Sequence, residues 1–357
     1  MERRVNFGYV GCGFMAQKVH IPNFRSIPRC NFLAIAEVRT GLGRRVQEKY
    51  KIPRLYSSHI ELAEDDEIDA VGISGPFHVQ GYIARDMLKA GKHVFVEKPM
   101  AVTTEQGEEI LKASMKTGAK IMVGYMKRYD AGYELAKEYV MEYRRSGELG
   151  RIMYCRNHGF CGDWLAGQYG AVETTEEPLP EMPPPPTPGW LPQGKYNKYV
   201  NYLQQYVHNV NLLRWFLDAG DRVKVKAVDL DEDWYTGVVV MEVDGTRAVL
   251  ETGAMKYHAW DEFMQVYFQR GWIKASSPPL MLRNATAQVE IYKGLDEGHS
   301  FFRPLPKDMW SWSYLREAEH FIDAVAEGRD FRTPGEDALI DTKVIEEIFK
   351  LNLRGSS

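Results

Sequence analysis

The sequence predicts an α/β protein of two domains, the first built on a doubly wound parallel sheet and the second, α+β, on a large, mainly antiparallel open sheet. Three observations support this. Strand and helix patterns alternate from Val5 to Gly124, a glycine-rich loop follows the first strand, and longer strand-like runs dominate after Asp130. The chain has 357 residues, which suits two domains. We place the boundary between 1–126 and 127–357.

The secondary structure of the first domain is predicted from apolar runs that glycine and proline interrupt. Strands are predicted at 5–10, 32–36, 68–74, 94–96 and 120–124, and helices from Met15 and at 79–90 and 103–117. Gly91 and Gly118 follow the last two helices, as is common at helix C-termini. Such an alternation predicts a parallel sheet with helices on both faces.

The second domain shows a different pattern. Helices are predicted at 132–146 and 202–216, and strands at 151–157, 223–229, 237–243, 248–252, 263–269 and 287–292. Consecutive strands without intervening helices favour an antiparallel sheet.

Composition excludes several classes of function. The formal net charge is −4 and no Lys/Arg-rich block occurs, so we expect no nucleic-acid partner. No apolar stretch approaches the ~18 residues of a membrane span, and a strand starting near Val5 leaves no room for a signal peptide, so we expect a cytosolic protein. The four cysteines form no C-x-x-C pair and no zinc spacing, which predicts reduced, structural thiols and no metal site.

The glycine-rich loop has the pattern Gly11-x-Gly13-x-x-Ala16. It lies after a strand and before a helix, where Gly11 permits a tight turn and Gly13 lets the backbone approach a pyrophosphate. Small Ala16 allows close packing of helix on strand. The loop therefore predicts dinucleotide binding in a Rossmann domain.

Glu37 ends the second predicted strand. A carboxylate there accepts hydrogen bonds from the adenosine ribose and repels a 2′-phosphate, which favours NAD over NADP. Arg39, two residues on, could instead meet a phosphate, and Glu37 could be merely an exposed acid.

Lys98 follows the buried strand pattern of residues 94–96 in the tripeptide Glu97-Lys98-Pro99. The carboxyl ends of such strands bind ligands, and a lysine with a lowered pKa can share the proton of a carbinol as its hydride leaves. The alternative is a lysine that only caps the strand or pairs with Glu97.

These features, together with three further segments, resemble the glucose-fructose oxidoreductase / inositol dehydrogenase / MocA family. The segments are 90–99, 124–130 and the run His208-x-x-Asn211-Leu-Leu-Arg-Trp215. The resemblance covers nearly the whole chain. It implies a Rossmann domain, a second domain with an open sheet, a bound nicotinamide cofactor, and homo-oligomers formed through the outer face of that sheet.

The resemblance implies NAD(H)-dependent hydride transfer at a secondary hydroxyl of a sugar, glycoside or cyclitol. The most specific expectation is oxidation of a pyranoside ring hydroxyl at position 3. Two alternatives stay open: an NAD-dependent glycosidase that works by transient oxidation and elimination, and a non-catalytic sugar or nucleotide sensor.

The resemblance also implies site residues. Lys98 and His208 are the expected catalytic pair. The expected cofactor-binding residues are Gly11, Cys12, Gly13, Phe14, Met15, Glu37, Arg39, Ser74, Gly75, Pro76, His78, Gln80, Glu97, Lys98 and Arg128. The expected substrate-binding residues are Lys98, Met126, Lys127, His158, Trp164, Gln204 and His208.

Three positions depart from the family pattern. Gln204 stands where Asp-x-x-x-His is usual, Asn211 replaces an acid, and Gln80 replaces a histidine. An amide cannot take a proton, so we expect Lys98 to carry more of the proton transfer. Without the family, His208 in an amphipathic helix is as readily a satisfied core histidine. Trp164, Tyr257 and Trp260 could stack on a sugar or simply pack in the core.

Residues 163–198 include a run rich in proline and acid, 173–188. Such a run can form neither helix nor sheet, so we expect an extended loop. We expect it to wall the substrate pocket or to reach a neighbouring subunit, the alternative being a disordered insertion.

Overall fold

A computed structural model describes residues 3–256, 260–296 and 298–355. The chain forms two compact units. The first comprises the described parts of Met1–Tyr125, Gly170–Gly189 and Tyr314–Leu339, and the second those of Met126–Tyr169, Trp190–Ser313 and Ile340–Ser357. The first of these divisions falls between Tyr125 and Met126, and the sequence-based boundary lies between residues 126 and 127. However, two segments that the sequence placed in the second domain, 170–189 and 314–339, pack with the first unit.

The first unit contains a six-stranded parallel sheet. Its strands, in chain order, are β1 (Val5–Val10), β2 (Cys30–Ala36), β3 (Arg54–Tyr56), β4 (Ala70–Ile73), β5 (His93–Val96) and β6 (Ile121–Val123). The spatial order is β3-β2-β1-β4-β5-β6, with every neighbouring pair parallel. The doubly wound sheet is therefore confirmed.

The second unit contains an eight-stranded sheet. Its strands are β7 (Ile152–Cys161), β8 (Val223–Leu230), β9 (Gly237–Val243), β10 (Thr246–Ala254), β11 (Asp261–Phe268), β12 (Gly271–Ser276), β13 (Gln288–Leu295) and β14 (Gly298–Phe302). They lie in the order β14-β13-β12-β11-β7-β10-β9-β8. Strands β7 and β10 pair parallel and all other neighbours pair antiparallel, which confirms a mainly antiparallel sheet.

Helices connect or cover these strands. A π-helical turn, Ala16–His20, leads into α1 (Ile21–Ser26), followed by α2 (Thr40–Tyr50), α3 (His59–Ala63), α4 (Phe77–Lys89), α5 (Thr104–Thr117), α6 (Ala131–Ser146), α7 (Tyr196–Phe216), α8 (Ser313–Glu327) and α9 (Gly335–Gly355). A short 3-10 helix, Met126–Tyr129, precedes α6. Sequence patterns placed α5 and α6 well because both carry local signals. The side chain of Thr103 caps α5, that of Asp130 caps α6, and glycines follow both.

Aromatic side chains form the centre of the first unit. Phe7 and Phe24 stack with ring centroids 4.3 Å apart, and Phe24 meets Phe95 edge-on at 5.5 Å. Phe321 of α8 meets Phe95 at 5.8 Å. All four side chains are fully buried. Segment 314–339 therefore completes the core beneath the parallel sheet.

Candidate active site

The glycine loop connects β1 to the π-helical turn. Gly11 has φ +95°, and a side chain there would come within 2.1 Å of the Ser74 carbonyl oxygen on the neighbouring strand end. Gly13 has no protein atom within 4 Å of where its Cβ would lie. The protein thus leaves open the space that a pyrophosphate needs for close approach to the backbone. Cys12 lies between the two glycines, and Phe14 and Met15 lie between Gly13 and the π-helical turn.

Glu37 follows β2 at the same edge of the sheet and is only 4% exposed. Its carboxylate accepts the Cys12 N–H at 2.8 Å and the Arg39 Nε–H at 2.8 Å. The interpretation of Glu37 as an exposed acid is therefore wrong. The acid is instead held beside the glycine loop, where the family of dinucleotide-binding folds places the ribose-binding carboxylate. Arg39 pairs with it.

The turn between β4 and α4 completes this edge. Ser74, Gly75 and Pro76 form the turn, Pro76 being the N-cap of α4, and His78 lies in its first turn. Gly75, like Gly13, has open space where a Cβ would lie. Backbone groups of this turn are thus available to a nucleotide.

Lys98 follows β5 and is half-buried, and its peptide bond to Pro99 is cis. The side chain of fully buried Gln80 donates to the carbonyl oxygens of both neighbours, at 2.8 Å to Glu97 and 2.5 Å to Pro99. The Glu97 carboxylate accepts the Lys98 backbone N–H at 3.2 Å. Gln80 and Glu97 were predicted to bind cofactor. In the structure their side chains form hydrogen bonds with the backbone of residues 97–99.

A buried acidic cluster lies behind this segment. His20 Nε2 is 2.8 Å from Glu97 Oε1, and Glu317 of α8 lies close enough that the possible ligand atoms of all three are within 4.8 Å of one another. Burial raises the pKa of the Glu317 carboxyl well above its usual value, and the charge of Glu97 raises it further. The raised pKa favours the uncharged form of Glu317 beside the Glu97 carboxylate. No sequence motif had singled out His20 or Glu317.

The second unit carries a separate polar cluster beside His208, which is 5% exposed on α7. Its neighbour Asn209 donates to Asn157 of β7 at 2.7 Å and to Glu262 of β11 at 3.0 Å. Glu262 also forms a buried ion pair with Lys127. Lys127, predicted to bind substrate, is thus held by an acid that sequence reasoning missed. The alternation of β11 could have shown Glu262 to face inward, but no local signal pairs it with Lys127.

His158 is not on the face of the sheet that α7 covers. Along β7, Asn157 faces Asn209 of α7, so by strand alternation His158 points to the opposite face. There His158 Nδ1 lies 2.8 Å from Glu251 Oε2, and its ring stacks between Phe160 and Phe263. The expectation that His158 lines one site with His208 is therefore corrected, and Asn157 is the residue on the α7 face.

The other residues predicted to bind substrate differ in exposure and lie on different elements. Trp164 is 45% exposed, Gln204 is half-buried on α7, and Met126 is buried in the 3-10 helix.

Four further positions were singled out in the sequence. Arg128, expected to bind cofactor, lies over the Trp215 ring, with its guanidinium carbon 5.5 Å from the ring centroid. Asn211, which replaces an acid of the family pattern, donates to buried Asp341 at 2.8 Å. Tyr257 lies outside the described residues, and Trp260 is half-buried.

The proline-rich segment is extended, since residues 171–188 form neither helix nor strand. The contacts described for Gly170–Gly189 are made with the first unit. Gln17 exchanges two hydrogen bonds with the backbone of Glu173, at 2.9 and 2.8 Å, and the hydroxyl of Tyr82 donates to the Pro184 carbonyl at 3.3 Å. The segment therefore lies on the unit that carries the glycine loop.

The chain is similar to known oxidoreductases. Residues 5–125 match the GFO/IDH/MocA family, described as "Oxidoreductase family, NAD-binding Rossmann fold". The chain is 23% identical over 349 residues to the uncharacterized oxidoreductase YrbE of Bacillus subtilis, covering 95% of this chain and 92% of the relative. It is 24% identical over 347 residues to myo-inositol 2-dehydrogenase of Thermotoga maritima, covering 93% and 92%.

A solved structure shares the fold of the whole chain. It is KijD10, a 3-ketoreductase from Actinomadura kijaniata, in complex with NADP and TDP-benzene, with a TM-score of 0.72, 19% identity and 98% coverage of both chains.

Within the described residues, none of the helices has the length and apolarity that a membrane crossing requires. The glycine loop, Glu37 and Lys98 all lie within the residues that match the family. Residues 5–125 therefore match the GFO/IDH/MocA oxidoreductase family and its NAD-binding Rossmann fold, and over nearly its whole length the chain is similar to oxidoreductases.

Proposed function

We propose that this oxidoreductase transfers a hydride between NAD and a secondary hydroxyl of a sugar, glycoside or cyclitol. The observation that carries the proposal is the placement of Lys98. It follows β5 at the carboxyl edge of the nucleotide-binding sheet. Gln80 donates to the carbonyl oxygens of both neighbours of Lys98, and the Glu97 carboxylate accepts its backbone N–H. Bound NAD supplies the hydride acceptor. The protein supplies the orientation of the carbinol and a group for its proton.

In this proposal Lys98 takes the hydroxyl proton in the oxidising direction and returns it in the reducing direction. His208 is the second proposed catalytic group, on the strength of the family resemblance. Gln204 can orient a hydroxyl by donating or accepting a hydrogen bond, but it cannot take a proton. The proton transfer therefore rests mainly on Lys98.

Our most specific proposal is oxidation of a pyranoside at ring position 3. Support comes from relatives named as an inositol 2-dehydrogenase and as a 3-ketoreductase. The test is mass spectrometry of products after incubation with NAD and a panel of inositols, free sugars and glycosides. A product two hydrogens lighter than a glycoside, with NADH formed, supports the proposal. Aglycone release without NADH would replace it with redox-neutral glycoside cleavage.

Lys98→Met tests the role of the lysine. We expect turnover to fall by about 10²-fold or more, the range for loss of a general acid–base group, while the affinity for NAD changes little. Lys89→Met is the matched control, because Lys89 is an exposed lysine at the end of α4. Turnover in Lys98→Met equal to that of the control would refute the role.

A further inference from the structure

The proline-rich segment brings one carboxylate to the N-terminus of α2. Glu177 Oε1 accepts the Gly41 N–H at 3.0 Å, and Glu177 Oε2 accepts the Leu42 N–H at 3.2 Å. The Thr175 hydroxyl donates to the same carboxylate at 3.2 Å. The hydrogen bond from Gly41 lowers the pKa of the Glu177 carboxyl, so the group is an anion at neutral pH. Glu177 thus caps α2 from 136 residues further along the chain.

The first turn of α2 lacks any other acid. The N-cap of α2 is Arg39, which makes no side-chain cap hydrogen bond, and the first turn contains no acidic residue. Free N–H groups at a helix start attract anions. Without Glu177, the N–H groups of Gly41 and Leu42 would be available to a negatively charged ligand.

This helix start lies shortly after Glu37, the acid expected to bind the ribose. Glu37 ends β2, and Arg39 lies two residues beyond it. In nucleotide-binding folds of this kind, that acid binds the ribose 2′-hydroxyl in NAD, whereas a nearby arginine accommodates the 2′-phosphate of NADP. Arg39 is engaged here by Glu37, at 2.8 Å from Nε and 3.2 Å from Nη2. Both groups that would receive a 2′-phosphate, the arginine and the helix start, are therefore already occupied by carboxylates.

The attachment of the segment fixes Glu177 in place. Besides the pair between Gln17 and Glu173, Arg45 of α2 donates to the Thr174 carbonyl at 2.7 Å. Lys49 donates to the Ala171 carbonyl at 3.2 Å. Gly41 lies against the carboxylate so closely that a Cβ there would be 2.7 Å from Glu177 Oε1. These contacts hold the segment along the π-helical turn and α2.

We propose that the proline-rich segment determines cofactor choice, with the Glu177 carboxylate taking the position of a 2′-phosphate at the start of α2 and so excluding NADP. The inference rests on NAD binding by the first unit and not on the identity of the sugar. A phosphate brought to this helix start meets a second anion and finds its N–H donors taken. NAD has only a hydroxyl there and suffers neither penalty. Part of the preference for NAD over NADP thus comes from Glu177, which lies outside residues 5–125.

The test compares Glu177→Ala with the matched control Glu176→Ala, which removes an exposed acid one residue away in the same segment. The dissociation constants of NAD and NADP are measured by calorimetry on the full-length protein without substrate, so the result does not depend on the proposed sugar. We expect Glu177→Ala to bind NADP at least about tenfold more tightly than wild type, which is ~1.4 kcal/mol, with NAD changed less than about threefold. Glu176→Ala should change neither.

Three results would overturn the proposal: an unchanged NADP constant in Glu177→Ala, equal shifts for NAD and NADP, or the same gain in Glu176→Ala. Glu177→Gln provides a second variant if loss of the cap unfolds the segment. It keeps an oxygen acceptor for α2 but removes the charge, and it should also gain affinity for NADP. If Glu177→Gln is folded and binds NADP no more tightly than wild type, the proposal is also overturned.

Discussion

Glu317 shows at the residue scale how one buried side chain sets a pH dependence. It is fully buried beside Glu97 and His20, and burial raises the pKa of its carboxyl in the folded protein. In the unfolded chain the pKa of the same carboxyl lies near its ordinary value of 4.5. Above that pH the unfolded state releases a proton that the native state keeps, so the free energy of unfolding falls as pH rises.

Glu317→Gln should remove this slope, because an amide does not titrate. We expect the variant to gain stability relative to wild type as pH rises from 5 to 8, by up to ~1.4 kcal/mol per pH unit while the native carboxyl stays protonated. Urea unfolding at each pH measures the difference. Glu64→Gln, at an exposed position, is the control. A difference that does not vary with pH would show that Glu317 titrates normally in the folded state.

Site residues could be predicted from the sequence only where a local motif marks them. Gly11, Glu37 and Lys98 were predicted because each follows a strand within a short, recognisable pattern. Glu262 and Glu177 were not, because each acts on a residue far along the chain. His158 illustrates a further limit: alternation separates it from Asn157, but only the packing of α7 decides which of the two faces the helix.

At the scale of elements, the parallel sheet could be predicted almost completely, since its strands are short apolar runs bounded by turn residues. The proline-rich segment could be predicted only to be extended. It has no periodicity to show which surface it covers, and its position depends on hydrogen bonds to Gln17, Arg45 and Lys49. Our expectation of a pocket wall or a subunit contact did not anticipate contacts with α2.

Gln17→Ala should loosen the first end of the proline-rich segment. The Gln17 side chain is 2% exposed and bonds both the Cys12 carbonyl, at 2.8 Å, and the backbone of Glu173. Its loss leaves buried polar groups without these partners, at a cost of about 1–3 kcal/mol. We expect faster hydrogen exchange of the Glu173 amide, followed by mass spectrometry. Tyr82→Phe removes a contact at the far end and should leave that amide protected. Equal protection in Gln17→Ala and wild type would contradict the anchoring role.

At the scale of the whole molecule, the outer face of the eight-stranded sheet offers an aromatic surface. Trp272 stacks on Tyr292 with centroids 6.1 Å apart and lies 6.0 Å from Phe301, which is 53% exposed. Contiguous exposed aromatic surface is typical of protein interfaces. This is the face through which the family resemblance implies that subunits associate.

Phe301→Arg should therefore weaken self-association. We expect light scattering after gel filtration to give a mass several times 41.0 kDa for wild type and a value closer to 41.0 kDa for the variant. Met115→Arg, at a position that is 75% exposed on α5, is the control. Identical masses for wild type and Phe301→Arg would show that this part of the face is not an interface.

The discontinuous first unit also bears on how the protein is made. Phe7, Phe24 and Phe95 lie within the first hundred residues, but Phe321, which packs against all three, follows Phe95 by 226 residues (321 − 95). Glu177, at the start of α2, is synthesised 136 residues after Gly41. During translation the nucleotide-binding fold therefore lacks part of its centre until Phe321 has been synthesised. A gene fragment ending at residue 126 would encode a truncated core rather than a transplantable module.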